Sequence, residues 1–361
     1  MNEQELLLQI DQLEQESGRS LQTDKAALLR NFHEDQEHEG TLAMKILSIV
    51  GAFMATGFFL GFTLLLGINS ALAFLAMGAV MLVGGYFFCR RDFLGIMGEA
   101  FGVALVVCGL PLLLVGFAET ITNESGMALL TLIIAGAILL LMENSIISFL
   151  ATVTMGVCLL FLAHDGFDRF GAHLYVGLTA VLLTGWIQYA ARLIKTSDLL
   201  SRRYDGIRTG LIFALLMGAG YLSDFRFWME LSRLPNWYAS VALVPLTLWL
   251  AFDLLRRFRN TESTELTKSS SQWSYLGGLF ILLLPTIFAP ALSATLLCLL
   301  LAWKVGYRTG TALAVIALIY FISRYYYDLN LSLLIKSIIL SASGSLFLMA
   351  WALLRKKIAV Q

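Results

Sequence analysis

GMALLTLIIAGAILLLMENSIISFLATVTMGVCLLFLAHD, residues Gly126–Asp165, holds two long apolar runs around one polar turn, Glu143-Asn144. A half-buried strand would alternate apolar and polar residues, and neither run does. Each run approaches the length needed to cross a hydrocarbon layer about 30 Å thick. Inside that layer no water is present to satisfy backbone N–H and C=O groups, so a spanning segment closes its own hydrogen bonds as a helix or joins a barrel. The stretch predicts two membrane-spanning helices, 126–142 and 146–163, joined by a tight turn.

The rest of the 361 residues repeats this theme. Hydrophobic residues make up 58% and charged residues 14%, against about 25% charged in soluble domains, too little polar surface to clothe a soluble core of this size. The fold class expected is all-α, a polytopic transmembrane bundle of about twelve spans. The other expected spans are 44–66, 70–89, 95–117, 172–191, 208–222, 239–255, 274–289, 290–303, 309–323 and 332–353. Several fall short of 20 residues. The division at Pro290 is the narrowest, and Pro285 with Pro290 could form one broken element instead.

Basic residues orient these spans, because Lys and Arg in short loops remain in the cytoplasm. The proposed cytoplasmic segments carry 20 of the 25 Lys and Arg, including Arg90, Arg91, Arg202, Arg203, Arg208, Lys304, Arg308 and Arg355-Lys356-Lys357. Arg169, Arg226, Arg233, Arg324 and Lys336 fall on the other side. Merging the ninth and tenth spans would send Lys304, Arg308 and the basic C-terminus outward, so twelve spans with both termini in the cytoplasm is the better reading. Residues 1–40 form an acidic cytoplasmic tail with ten Asp/Glu against three Lys/Arg, where a signal peptide would be basic and then apolar. Short amphipathic helices are expected there at 3–16 and 24–36. Spans one to eight occupy 41–259, a polar linker 260–272, and spans nine to twelve 273–361. Aromatic residues at 225–238 and Tyr325–Tyr327 suit the headgroup level, with a surface helix expected at 223–233.

Ionisable groups within a membrane are expensive and mark candidate sites. Glu99, just inside the third span, could carry a proton or bind a cation, or simply pair with a neighbouring helix. Pro111, Pro285 and Pro290 could unwind backbone around a substrate, or only kink their helices. Lys336 could snorkel outward or pair with Asp328. His164, Asp165, Asp168 and His173 have the donor types for a divalent metal, but their spacing matches no metal motif, so no metal and no cofactor is expected. Cys89, Cys108, Cys158 and Cys298 are scattered through apolar segments and read as small buried hydrophobes. The glycines Gly51, Gly57, Gly61, Gly78, Gly84 and Gly85 read as close helix contacts. The sequence has no GxxxxGK[ST] loop, no HExxH and no GxSxG elbow, so the expectation is a non-enzyme whose partners are the bilayer and protein, with no nucleic acid.

Three stretches carry a family resemblance. They are Lys45-Ile-Leu-Ser-Ile-Val-Gly-Ala-Phe running into Gly57-Phe-Phe-Leu-Gly-Phe; Arg91-Asp-Phe followed by Glu99-Ala-Phe-Gly-Val-Ala-Leu; and Tyr325-Tyr-Tyr-Asp-Leu followed by Leu333-Leu-Ile-Lys-Ser-Ile. From about residue 40 onward the chain resembles bacterial integral membrane proteins grouped as domain of unknown function 4401. The resemblance implies an inner-membrane location and, from the small membrane-anchored protein with a Gly-Asp-Tyr motif often encoded beside such proteins, an envelope partner. It also implies an outer-face cluster of Tyr326, Tyr327, Asp328, Lys336 and Ser337. The function expected is a scaffold or regulatory subunit working with that partner. The competing expectation is a secondary transporter or channel for a small solute.

Overall fold

The computed structural model describes residues 70–90, 95–196, 198–223, 238–261 and 289–328, with isolated positions between 51 and 62 and at 286 and 341. Every regular element among them is helical. The chain divides into two compact units, Met1–Thr122 and Asn123–Gln361. The first contains α1 (Ala71–Arg90) and α2 (Gly95–Thr120). The second contains α3 (Glu124–Leu141), α4 (Ser145–Gln188), α5 (Ala190–Thr196), α6 (Asp198–Leu222), α7 (Tyr238–Thr261), α8 (Pro290–Val305) and α9 (Arg308–Asp328).

Six described stretches are long and apolar enough to cross a membrane: Ala71–Cys89, Phe101–Thr120, Glu124–Leu141, Ser145–Asp168, Phe170–Gln188 and Arg308–Tyr327. Tyr238–Leu254 and Pro290–Val305 are apolar but shorter. Large hydrophobic side chains such as Leu72, Val80, Leu140, Ile316 and Ile319 stand exposed on these helices. Exposed apolar faces on long apolar helices are the construction of a helical membrane protein. The tail 1–40 with its two helices and the linker beyond Thr261 lie outside the described residues, as do most of the expected spans 44–66, 274–289 and 332–353 and of the surface helix 223–233.

In the first unit, α1 and α2 pack antiparallel through glycines seven residues apart. A Cβ on Gly78 would stand 2.9 Å from the Gly109 carbonyl oxygen, and one on Gly85 would stand 2.9 Å from that of Gly102. Gly116 continues the α2 series against Leu75. Small residues at this interval bring two backbones together, and packing then replaces the hydrophobic driving force that lipid cannot supply. Helix α2 runs unbroken through Pro111.

In the second unit, Asn123 caps α3 by accepting from the Ser125 N–H at 3.1 Å. Asn144 caps α4 by accepting from the N–H groups of Ile146 and Ile147 at 2.8 and 3.3 Å. The Glu143-Asn144 turn is thus a helix start as well as a chain reversal. Helix α4 is interrupted at Phe167 and Asp168, where Asp168 adopts φ 51°. Gly156 and Tyr175 would lie roughly 28 Å apart along a straight helix. Instead a Cβ on Gly156 would meet the Tyr175 hydroxyl at 3.0 Å, so the two halves of α4 fold back on each other. The sequence predicts a loop over residues 164–171, but helix continues to Gly166 and reverses within two residues. Gly171 makes this possible, because its bare Cα lies against the Ala163 backbone.

Helix α6 begins at Asp198, ten residues before its expected start. Its first turns carry Arg202, Arg203, Tyr204 and Asp205, which lower its hydropathy, yet their polar groups find partners and the helix persists. Helix α8 is largely buried. Pro290 occupies its first turn, where the missing N–H costs nothing, and Ala291, Ser293, Ala294, Thr295, Leu297, Cys298, Leu301 and Ala302 are all buried. It packs with the second half of α4 and with α6, α7 and α9 into one core.

The glycine contacts in the first unit give a direct test. Gly78→Ala and Gly109→Ala push a methyl onto opposing backbone, and each is expected to cost about 1–3 kcal/mol in detergent-based unfolding. Gly136→Ala, where a Cβ meets nothing within 4 Å, is expected to be neutral or slightly stabilising.

Candidate functional site

A group of charged residues of the second unit, Glu143, Arg202, Arg203, Asp205, Arg208, Asp253 and Lys304, collects where α3 ends, α4 starts, α6 starts, α7 ends and α8 turns into α9. Arg203 is buried, 6% exposed. Its Nε donates to the Met142 carbonyl at 3.1 Å and its Nη2 to the Leu140 carbonyl at 2.9 Å. These are C-terminal carbonyls of α3, which have no acceptor role left inside their own helix and carry its negative dipole end. A buried guanidinium satisfies both needs at once. Beside it, Arg202 pairs with Glu143 at 3.1 Å, largely in solvent.

Arg208 lies one turn further along α6 and is 9% exposed. Its Nη2 meets Asp205 at 2.8 Å, and its guanidinium sits 3.5 Å from the centre of the Tyr307 ring and 5.2 Å from that of Tyr204. The Tyr204 ring stacks in turn on Trp186, with centroids 6.0 Å apart and planes within 10°. The result is a continuous ladder, Trp186–Tyr204–Arg208–Tyr307, drawn from α4, α6 and the α8–α9 corner. Stacked aromatic faces are suitable neighbours for a weakly hydrated guanidinium. Burial pushes the Tyr204 phenol up, against the opposing pull of Arg208, so it remains protonated at neutral pH.

Tyr307 is held in place by the end of α8. Gly306 takes the left-handed conformation, φ 69°, its N–H reaches the Trp303 carbonyl at 3.1 Å, and the Tyr307 N–H reaches that of Ala302 at 2.9 Å. This double closure requires a residue free to adopt positive φ, which is why glycine stands there. The Tyr307 hydroxyl shares a hydrogen bond of 2.6 Å with Thr209. One turn before the corner, Lys304 reaches across to α7 and pairs with Asp253 at 2.7 Å.

At the opposite end of this unit the Ser125 hydroxyl donates to the Asp165 carboxylate. His164 packs edge-on to Tyr221 at 5.8 Å, whereas His173, 3% exposed, packs against Tyr238 at 5.9 Å. Asp165 and Asp168 are exposed. No group of three or more His, Cys, Asp and Glu able to hold a metal ion occurs among the described residues. His164, Asp165, Asp168 and His173 share one end of the unit without forming one ligand set.

Of the other sequence candidates, Tyr326 and Tyr327 meet edge-on at 5.7 Å on the last turn of α9, which Asp328 closes. Lys336, Ser337 and Pro285 lie outside the described residues, as do the side chains of Asp328 and Glu99. Glu99 and Pro111 belong to α2 in the first unit. The sequence reading used Arg203, Arg208 and Lys304 as markers of sidedness and missed that each is buried and engaged. The signal for Arg208 was the aromatic company in Tyr204-Asp205 and Gly306-Tyr307.

Arg203 and its neighbour should separate cleanly on substitution. Arg203→Ala strands two carbonyls near a helix end and is expected to cost about 3 kcal/mol in detergent unfolding. Arg202→Ala removes an exposed pair and is expected to cost under about 1 kcal/mol.

No curated protein and no solved structure matches this chain. A family model does, over residues 41–357, which is most of the chain and includes both helical units apart from the acidic tail. By that match the chain belongs to the family described as Domain of unknown function (DUF4401).

Proposed function

We propose that this protein is a twelve-span inner-membrane protein with both termini in the cytoplasm, acting as a scaffold or regulatory subunit for an envelope partner. The observation that carries the reading is the engagement of its buried cations. Arg203 binds helix-end carbonyls, Arg208 lies between two tyrosine rings, and Lys304 is paired with Asp253. Charges committed to holding five helix ends together suit a rigid platform better than a path that must open and close. The acidic amphipathic tail at residues 1–40 offers that platform a cytoplasmic docking segment.

The proposed orientation is supported by the same grouping. Residues that the charge rule assigns to cytoplasmic loops, Glu143, Arg202, Arg208 and Lys304, gather at one end of the second unit. Those assigned outward, Asp165, His164 and His173, gather at the other. Labelling with an impermeant maleimide should therefore modify Asp165→Cys in intact cells and Glu143→Cys only after permeabilisation, over native cysteines of which Cys108, Cys158 and Cys298 are buried. The reverse pattern would invert the topology.

A secondary transporter or channel is the second reading. It is favoured by the broken entry to α8, where Pro290 starts the helix and the buried Ser293 hydroxyl is shared between the Thr286 carbonyl and hydroxyl at 3.1 and 2.9 Å. Non-helical backbone at depth is a feature of transporter sites. Affinity purification in mild detergent decides between the readings. A stoichiometric membrane partner is expected, while a clean monomer or homo-oligomer across several detergents, with solute flux in reconstituted vesicles, would replace the scaffold by the transporter.

A further inference from the structure

We propose that the corner formed by Trp186, Tyr204 and Arg208 binds a phosphate-bearing anion. The inference rests on three hydrogen-bond donors that the fold leaves over. The Trp186 indole N–H, the Tyr204 hydroxyl and the Arg208 Nε–H are all buried, and among the described residues none donates in regular hydrogen-bond geometry, although the Arg208 guanidinium approaches the Tyr204 hydroxyl oxygen. Tyr204 and Arg208 are more than nine-tenths buried. Buried donors are nearly always satisfied, so three leftover donors on adjoining residues point to an acceptor from outside the chain.

Geometry keeps the three together. The Tyr204 ring stacks with that of Trp186, centroids 6.0 Å apart, and the Arg208 guanidinium lies 5.2 Å from the Tyr204 ring centre. The donors come from two helices, α4 and α6, and from three different side-chain types. A tetrahedral phosphate offers oxygens in several directions and suits such a set, and the edge of a guanidinium is well matched to two of them. The indole can only donate, and the protonated phenol beside a cation is a poor acceptor for one, so a cationic ligand is disfavoured.

Asp205 accounts for how the site opens. It occupies Nη2 of Arg208 at 2.8 Å, yet its side chain is 70% exposed. An exposed carboxylate three residues away along a helix is held weakly and can swing into solvent. The Nε–Nη2 edge of Arg208 is then free and the corner has net positive charge. Arg208 begins the apolar part of α6, at the level where phospholipid headgroups lie against a spanning helix. The phosphate can belong to an anionic phospholipid or be free in solution, and the chemistry of recognition is the same. The inference depends on neither the scaffold reading nor the proposed orientation.

The test uses the full chain, delipidated in maltoside detergent without phosphate buffer. One arm titrates phosphatidylglycerol and counts bound lipid by native mass spectrometry; the other titrates inorganic phosphate and follows thermal unfolding. One saturable site is expected in at least one arm: lipid alone identifies a headgroup site, phosphate alone a soluble-anion site. Trp186→Phe and Tyr204→Phe keep the stacked rings but delete one donor each, and each should weaken that binding roughly tenfold or more. Asp205→Asn should strengthen it several-fold by freeing the guanidinium edge, which provides a readout that damage to the fold would not produce. Arg202→Ala, whose guanidinium pairs with Glu143, should leave it unchanged. No saturable site in either arm, or equal binding by wild type, Trp186→Phe and Asp205→Asn, overturns the proposal.

Discussion

A hydrocarbon layer offers no hydrogen bonds, and the organisation of this chain follows from that single constraint. Backbone groups are closed within helices, and the same rule extends to the hydroxyl side chains that lie along them. Thr131, Thr152, Thr184 and Thr247 each donate to the carbonyl four residues earlier in their own helix, at 2.7–2.8 Å. A threonine treated this way is a β-branched apolar residue to its neighbours, since its only polar hydrogen is returned to its own backbone. This lets α4 and α7 bury threonines in a core otherwise built from Leu, Ala, Ile and Val. Polar side chains that cannot be returned locally, the arginines above all, are excluded to the helix ends.

At those ends the first problem becomes an asset. The last carbonyls of a helix lack intrahelical donors, and an arginine from another helix can supply them. Arg203 does this for α3 from α6, across a sequence separation of 61–63 residues, while α6 itself packs on α4 through close backbone contact. Gly206 lies against the carbonyl of Ser145, and a Cβ on Gly210 would stand 2.6 Å from the Thr152 side chain. Parallel packing of α6 on the first half of α4 and the clamp on the end of α3 are thus set by residues within two turns of each other. The long polar start of α6 is part of the packed unit, although its composition resembles a loop.

These physics explain what was legible in the sequence. Helix class, the ends of α1, α2 and α3 to within a few residues, and the start of α8 at Pro290 could be read because they depend on local composition: run length, turn residues and the missing proline N–H. The start of α6 was misplaced because hydropathy registers an arginine as exterior, whereas Arg203 and Arg208 are buried by partners that no local window contains. The glycine series of α2, Gly102, Gly109 and Gly116, went unread although Gly78 and Gly85 on α1 were noticed, since a packing seam has meaning only once the opposing helix is known. The His/Asp segment at 164–173 suggested metal by composition. Its residues are instead distributed among Ser125, Tyr221 and Tyr238, which come from three other parts of the chain.

The residues from whose charge pattern an orientation is expected are therefore also residues that hold helix ends together. Positive charge restricts an end of the bundle to one face of the membrane, but any arginine there must still be buried or solvated. Arg203 is engaged by two helix-end carbonyls. Arg208 is only partly used, by an exposed carboxylate and two ring faces, and its ladder joins α4, α6 and the α8–α9 corner. Tyr307 enters that ladder only because Gly306 closes α8 so tightly, and Thr209 fixes the Tyr307 hydroxyl on the α6 side. An anion seated on Trp186, Tyr204 and Arg208 would thus bear on three elements through one guanidinium. Its occupancy would offset the positive field of Arg208, hence weaken its hold on the Tyr307 ring, without displacing Arg203 or Lys304, which keep separate partners.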